Sequence, residues 1–97
     1  MSSENSMWIF NGDNSRFPSG VFSSIEQGVK FIKKYKLSGI LTEYPVDIGC
    51  YDWEVKEGYF VPKKPEHFTS EFIGKFSPGY TRHFHFKEGL CRELEGS

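Results

Sequence analysis

Ser23-Ser24-Ile25-Glu26-Gln27-Gly28-Val29-Lys30-Phe31-Ile32-Lys33-Lys34-Tyr35-Lys36 is the stretch on which the fold turns. Ile25, Val29 and Ile32 recur at i, i+4 and i+7, with Gly28 and Tyr35 close to the same face. That period belongs to an amphipathic helix with one apolar stripe. Ser23 and Ser24 stand three residues before Glu26 and Gln27, a capping box in either of two registers. Lys30, Lys33, Lys34 and Lys36 form the solvated face and a favourable cationic last turn. The helix is expected to run to about Lys36, with Ser38-Gly39 ending it as glycine does just past a helix. One apolar stripe needs one apolar face to lie on, so the flanking segments must supply a sheet.

They do. Upstream, Met7-Trp8-Ile9-Phe10 is β-prone and stops at Asn11-Gly12; Asp13-Asn14-Ser15 is turn chemistry, and Ser19-Gly20-Val21-Phe22 reads as a second strand. Downstream, Ile40 to Val46 reads as a third strand with Ile40, Thr42, Tyr44 and Val46 on one face. Pro45 cannot donate to a ladder, which puts that end at a sheet edge or at the strand's finish. Tyr51 to Glu57 fits either a short helix closed by Gly58 or one arm of a hairpin turning at Glu57-Gly58; the helix is preferred. Pro62 to Phe68 is an extended connector, and Thr69 or Ser70 can cap a short helix carrying Phe72, Ile73 and Phe76 until Ser77-Pro78-Gly79 stops it. Tyr80 to Phe86 reads as a last strand, with Tyr80, Arg82, Phe84 and Phe86 on one face and Thr81, His83 and His85 on the other.

The order β-β-α-β, short helices, β predicts an α+β fold. It is a single small domain with an antiparallel sheet of about four strands and the main helix on one face. The 97 residues suffice for one domain with one modest core. Aromatics make up 18%, which lets a few rings close so small a core. The domain is expected over residues 7–87, with 1–6 and the polar 88–97 as disordered ends.

A net charge of −1 and a sequence pI of 6.3 argue against general nucleic-acid binding, which needs a basic face. No apolar run reaches the ~20 residues of a membrane span, and the N-terminus lacks the apolar region of a signal peptide. Cys50 and Cys91 lie far apart without metal-binding or CxxC spacing, the latter in the polar tail; both read as free thiols of a reducing cytosol.

Trp8-Ile9-Phe10-Asn11-Gly12, Phe17-Pro18-Ser19-Gly20-Val21-Phe22-Ser23-Ser24, Leu37-Ser38-Gly39-Ile40-Leu41-Thr42, Tyr44-Pro45-Val46-Asp47 and Tyr51-Asp52-Trp53 form a recognisable set. Pro62, Pro65-Glu66-His67 and the closing His83-Phe84-His85-Phe86 fit with it. On these pieces the chain resembles a family of small bacterial proteins classed only as a domain of unknown function. The resemblance runs from about Met7 to Gly89. It implies a bacterial, cytoplasmic protein and brings neither an activity nor functional residues.

Several residues are chemically capable. His83 and His85, at i and i+2 of a strand, point the same way, and His67 or Cys50 would have to supply a third metal ligand. A lone HxH is a weak signal, so no metal is assigned. Glu43, Asp47, Asp52 and Glu54 would serve acid–base chemistry only if burial raised one of them; local hydrogen bonding is the plainer reading, with Asp52 capping the helix that follows it. Cys50 as a nucleophile lacks a histidine placed beside it, and no glycine-rich phosphate loop is present. Trp8 reads as core. Trp53 between two acids, with Tyr51, suits a binding edge.

The expectation is therefore a small non-enzymatic, protein-binding or accessory domain without cofactor, metal or catalytic residues. Its partner is another protein, neither nucleic acid nor membrane, and its surface is drawn from Asp47, Tyr51, Asp52 and Trp53, extended by His83 and His85. The alternative is a small metal- or ligand-binding protein using His83 and His85, and an exposed sheet edge leaves room for a homodimer.

Overall fold

The computed structural model describes residues 6–94. Four antiparallel strands form one sheet in the order β2-β1-β3-β4: β1 (Ser6–Gly12), β2 (Gly20–Phe22), β3 (Gly39–Pro45) and β4 (His83–Phe86). The α+β architecture read from the sequence is the one observed. Helix α1 (Ile25–Tyr35) joins β2 to β3, and α2 (Cys50–Lys56), a 3₁₀ turn (Pro65–Phe68) and α3 (Ser70–Gly74) lie between β3 and β4.

The register explains the core. Phe22, Trp8 and Glu43 stand opposite one another across three strands; Phe10, Leu41 and Phe84 form the next row, and Gly12, Gly39 and Phe86 the last. Alternation puts all of these on one face. Trp8, Phe10, Leu41 and Phe86 are buried there together with Ile32 of α1, while Ile25, Val29 and Phe31 pack at the margin. Each fully buried side chain of this size contributes about 1.5–3 kcal/mol. The opposite face carries Ile9, Ile40, Thr42 and Tyr44 half-buried, and Val21, His83 and His85 exposed.

Helix α1 begins where the capping box predicts: Ser24 is extended and its Oγ accepts from the Gln27 N–H. It ends where expected, at about Lys36, but the closing residue differs. Lys36, not Gly39, takes the left-handed conformation (φ 52°), and Leu37 N–H donates back to Ile32 O at 3.0 Å. Gly39 has another task. It pairs with Gly12, and a Cβ there would lie 2.8 Å from Gly12 Cα.

Two further expectations are corrected. The last strand begins at His83, not Tyr80, because Ser77-Pro78-Gly79 runs into a turn and Tyr80 stacks on Tyr59; only the Arg82 carbonyl, accepting from Glu43 N–H at 2.9 Å, extends the pairing. The segment after β4 is also no loose tail as far as it is described. Glu88 N–H donates to Ser38 Oγ and Gly89 N–H to Leu37 O, fastening Lys87–Leu90 across the C-terminal end of α1. Cys91 then enters the core with 0% exposure. A polar composition hid one small apolar side chain that fills the space between helix and sheet. Residues 1–5 and 95–97, where the rest of the expected disordered ends fall, lie outside the described residues.

Candidate binding site

The segment between β3 and β4 builds a second structure beside the sheet. Helix α2 starts at Gly49 without a side-chain cap; Asp52 lies within its first turn, where a carboxylate favours the helix dipole, so Asp52 is not the cap expected of it. The helix closes with Gly58 at φ 83°, Gly58 N–H on Val55 O and Tyr59 N–H on Glu54 O, a Schellman arrangement that needs a glycine-type conformation. The preferred helix reading of this stretch holds. Pro65 then starts the 3₁₀ turn, and Thr69 Oγ1 accepts from Phe72 N–H to open α3.

These short pieces are held by rings. Tyr51 packs on Phe60, Phe72 and Phe76 with centroids 5.4–6.3 Å apart, and its hydroxyl donates to His67 O at 2.9 Å. His67 lies against Phe60 and Phe72, and its Nδ1 accepts from the N–H groups of Lys63 and Lys64. Trp53 meets Tyr59, which stacks on Tyr80 at 4.9 Å. None of Phe60, Phe72 and Phe76 is fully buried. They floor an open cavity of about 590 Å³ that Glu54, Glu66, Glu71, Lys75 and Tyr80 also line.

Two carboxylates are buried here, and they differ. Glu43 accepts from Arg82 Nε at 3.0 Å and from Ser6 Oγ at 2.6 Å. Burial pushes its carboxyl up, but the hydrogen bonds from Arg82 and Ser6 and the Arg82 charge outweigh that and hold it below the ordinary value. Glu54, 2% exposed, receives a 3.4 Å hydrogen bond from Tyr80 N–H and no ion pair among the described residues. Trp53 Nε1 is buried and has no hydrogen-bond partner among the described residues, and Trp53 lines a smaller cavity of about 140 Å³ with Glu43, Tyr80 and Arg82.

The residues singled out in the sequence are thus divided. Tyr51 and Trp53 are half-buried members of the aromatic lobe, Asp52 and Asp47 are exposed, and Asp47 occupies a left-handed turn position (φ 67°). His83 and His85 lie on the outer face of the edge strand β4, in register with Thr42 and Ile40, their rings 5.6 Å apart. Among the described residues no group of three or more His, Cys, Asp or Glu stands close enough to hold a metal ion. Burial first, and the Glu54 charge second, push the Cys50 thiol up, which opposes thiolate chemistry. Sequence reasoning missed the lobe as a unit, although the run of Phe60, His67, Phe72, Phe76 and Tyr80 around Pro62, Pro65 and Pro78 is its trace.

What the structure defines is a small α+β domain with an aromatic lobe beside its sheet. The chain belongs to the family described as Domain of unknown function (DUF7710), whose model matches residues 7–92. No curated protein and no solved structure matches it. No helix among the described residues is long and apolar enough to cross a membrane.

Proposed function

We propose that this chain is a non-enzymatic binding domain that docks another protein on its aromatic lobe. The observation that carries this reading is the arrangement of rings around the 590 Å³ cavity. Phe60, Phe72 and Phe76 form its floor, the stacked pair Tyr59 and Tyr80 stands at its side, and the two tyrosines are 48% and 63% exposed. Apolar and aromatic surface gathered around one concavity is the composition of an interface centre. The surface therefore shifts from the Asp47–Trp53 stretch to the cavity that Tyr51 supports from behind. The bacterial, cytoplasmic setting belongs to the same proposal, and the unpaired thiols of Cys50 and Cys91 are compatible with it.

The test replaces exposed residues at the cavity, Tyr80 on its lining and Phe68 between the lining residues Glu66 and Thr69, without touching the core. Tyr80→Ser with Phe68→Ser should retain the fold by circular dichroism and abolish recovery of a stoichiometric partner, whereas Val21→Ser with Leu90→Ser, equally exposed elsewhere, should leave recovery intact. A partner lost with the second pair and kept by the first would overturn the assignment.

A further inference from the structure

Resting on that reading, we infer that the cavity beside α3 receives an arginine side chain of the partner polypeptide, with Glu54 as the counter-charge at its base.

The two buried carboxylates provide the comparison. Glu43 is supplied from within the chain: Arg82 reaches it with Nε and Nη2, and Ser6 adds a hydroxyl. Glu54 is the more deeply buried, at 2% against 9% exposure, and has the 3.4 Å contact from Tyr80 N–H with no ion pair to a cation among the described residues. A carboxylate accepts at about four lone-pair sites, and burying one without pairing is costly. Glu54 lines the aromatic cavity, so a cation entering that space supplies what the fold withholds.

The walls narrow the choice of cation. Phe60, Phe72, Phe76 and Tyr80 present rings, which suit a flat, weakly hydrated guanidinium and the apolar stem behind it. Glu66 and Glu71 add two carboxylates at the lining against one ammonium, Lys75, which is engaged with Glu71 at 3.3 Å. The balance of charge in the cavity thus favours a cation. A divalent metal is disfavoured, because no group of three ligating side chains is assembled among the described residues. A cavity of about 590 Å³ has room for a long side chain and part of the backbone that carries it.

The test is a titration of isotope-labelled protein with N-acetyl-arginine-methylamide, read by the ring resonances of Phe60, Phe72 and Phe76. The neutral N-acetyl-citrulline-methylamide is the control. Saturable shifts with the arginine compound, absent with citrulline, and at least about ten-fold weaker binding in Glu54→Gln, support the assignment. Equal shifts with citrulline, no shifts at all, or unchanged affinity in a folded Glu54→Gln overturn it. Should Glu54→Gln fail to fold, the exposed pair Glu66→Gln and Glu71→Gln decides: several-fold weaker binding supports the inference and unchanged binding refutes it. The broader reading fails separately. A partner captured equally by wild type and Glu54→Gln, yet lost with Tyr80→Ser and Phe68→Ser, keeps protein binding and removes arginine from it.

Discussion

Arg82 and Glu43 are joined through both backbone and side chains. The Arg82 carbonyl accepts from Glu43 N–H at 2.9 Å, and the Arg82 Nε donates to Glu43 Oε1 at 3.0 Å. The guanidinium carbon also lies 5.1 Å from the centre of the Trp8 ring. One residue just before β4 thus extends the strand pairing, neutralises a buried acid and covers a core indole.

Replacing Arg82 by Met keeps the cover and removes the charge. The Arg82 side chain is 61% exposed, so solvent screens much of the pairing. The cost in equilibrium unfolding at pH 7 should be about 1–2 kcal/mol. The pH dependence carries the sign. Glu43 is held below the ordinary 4.5, so its contribution is present above that pH and is lost as pH falls through the lowered native value. The gap between wild type and Arg82→Met should therefore be widest near neutrality and close below pH 4.5; a gap that widens in acid would contradict the pairing.

The segment after β4 should behave as core. Cys91→Ala is expected to destabilise by about 1 kcal/mol, and a chain ending at Lys87 to lose cooperative melting. Burial above all, then the hydrogen bond to Glu93, pushes the Cys91 thiol up. A thiol reagent at pH 8 should accordingly label half-buried Cys50 before Cys91, and Cys91 on the timescale of unfolding. Immediate labelling of Cys91 in the native protein would refute its place in the core.

Lys36 closes α1 in a left-handed conformation at φ 52°. That geometry costs a non-glycine residue about 1–2 kcal/mol, partly offset by the entropy glycine loses on folding. Lys36→Gly should raise the stability by up to about 1 kcal/mol, seen as a higher melting temperature. A lower one would show that the Lys36 side chain contributes more than its backbone strain costs.

Gly39 predicts the opposite. An added methyl would meet the carbonyl oxygen of Asn11 and the Cα of Gly12, both backbone atoms of the central strand. Gly39→Ala should cost about 1–3 kcal/mol by overpacking, measured by denaturant unfolding. A neutral result would mean that β1 and β3 separate more easily than their register implies.

Most of the sheet and α1 were legible because local chemistry and burial agree there. Alternation in Met7–Phe10 and Ile40–Tyr44, the Ser24 cap and the Ile25/Val29/Ile32 stripe all point one way. The site was less legible because its residues cooperate across loops. Nothing near Glu54 in the sequence reveals that the backbone of Tyr80, 26 positions on, is its hydrogen-bond donor. Tyr51 reads as an aromatic beside acids, but its partners Phe60 and the Phe72/Phe76 pair come from two other segments further along the chain. Cys91 was misplaced for the same reason. Periodicity reports a residue's neighbours along one element, and Cys91 belongs to none; the bonds from Glu88 and Gly89 to the Leu37-Ser38 turn carry it inward.

The central claim is that the aromatic lobe is the docking surface, and photocrosslinking in cells tests it most directly. A photoreactive phenylalanine analogue placed at Tyr80, 63% exposed at the cavity, is compared with the same analogue at Val21, 63% exposed on the outer face of the sheet. The account predicts one discrete crosslinked protein from position 80, diminished by Glu54→Gln, and none from position 21. A discrete crosslink from position 21 with none from position 80 would contradict it.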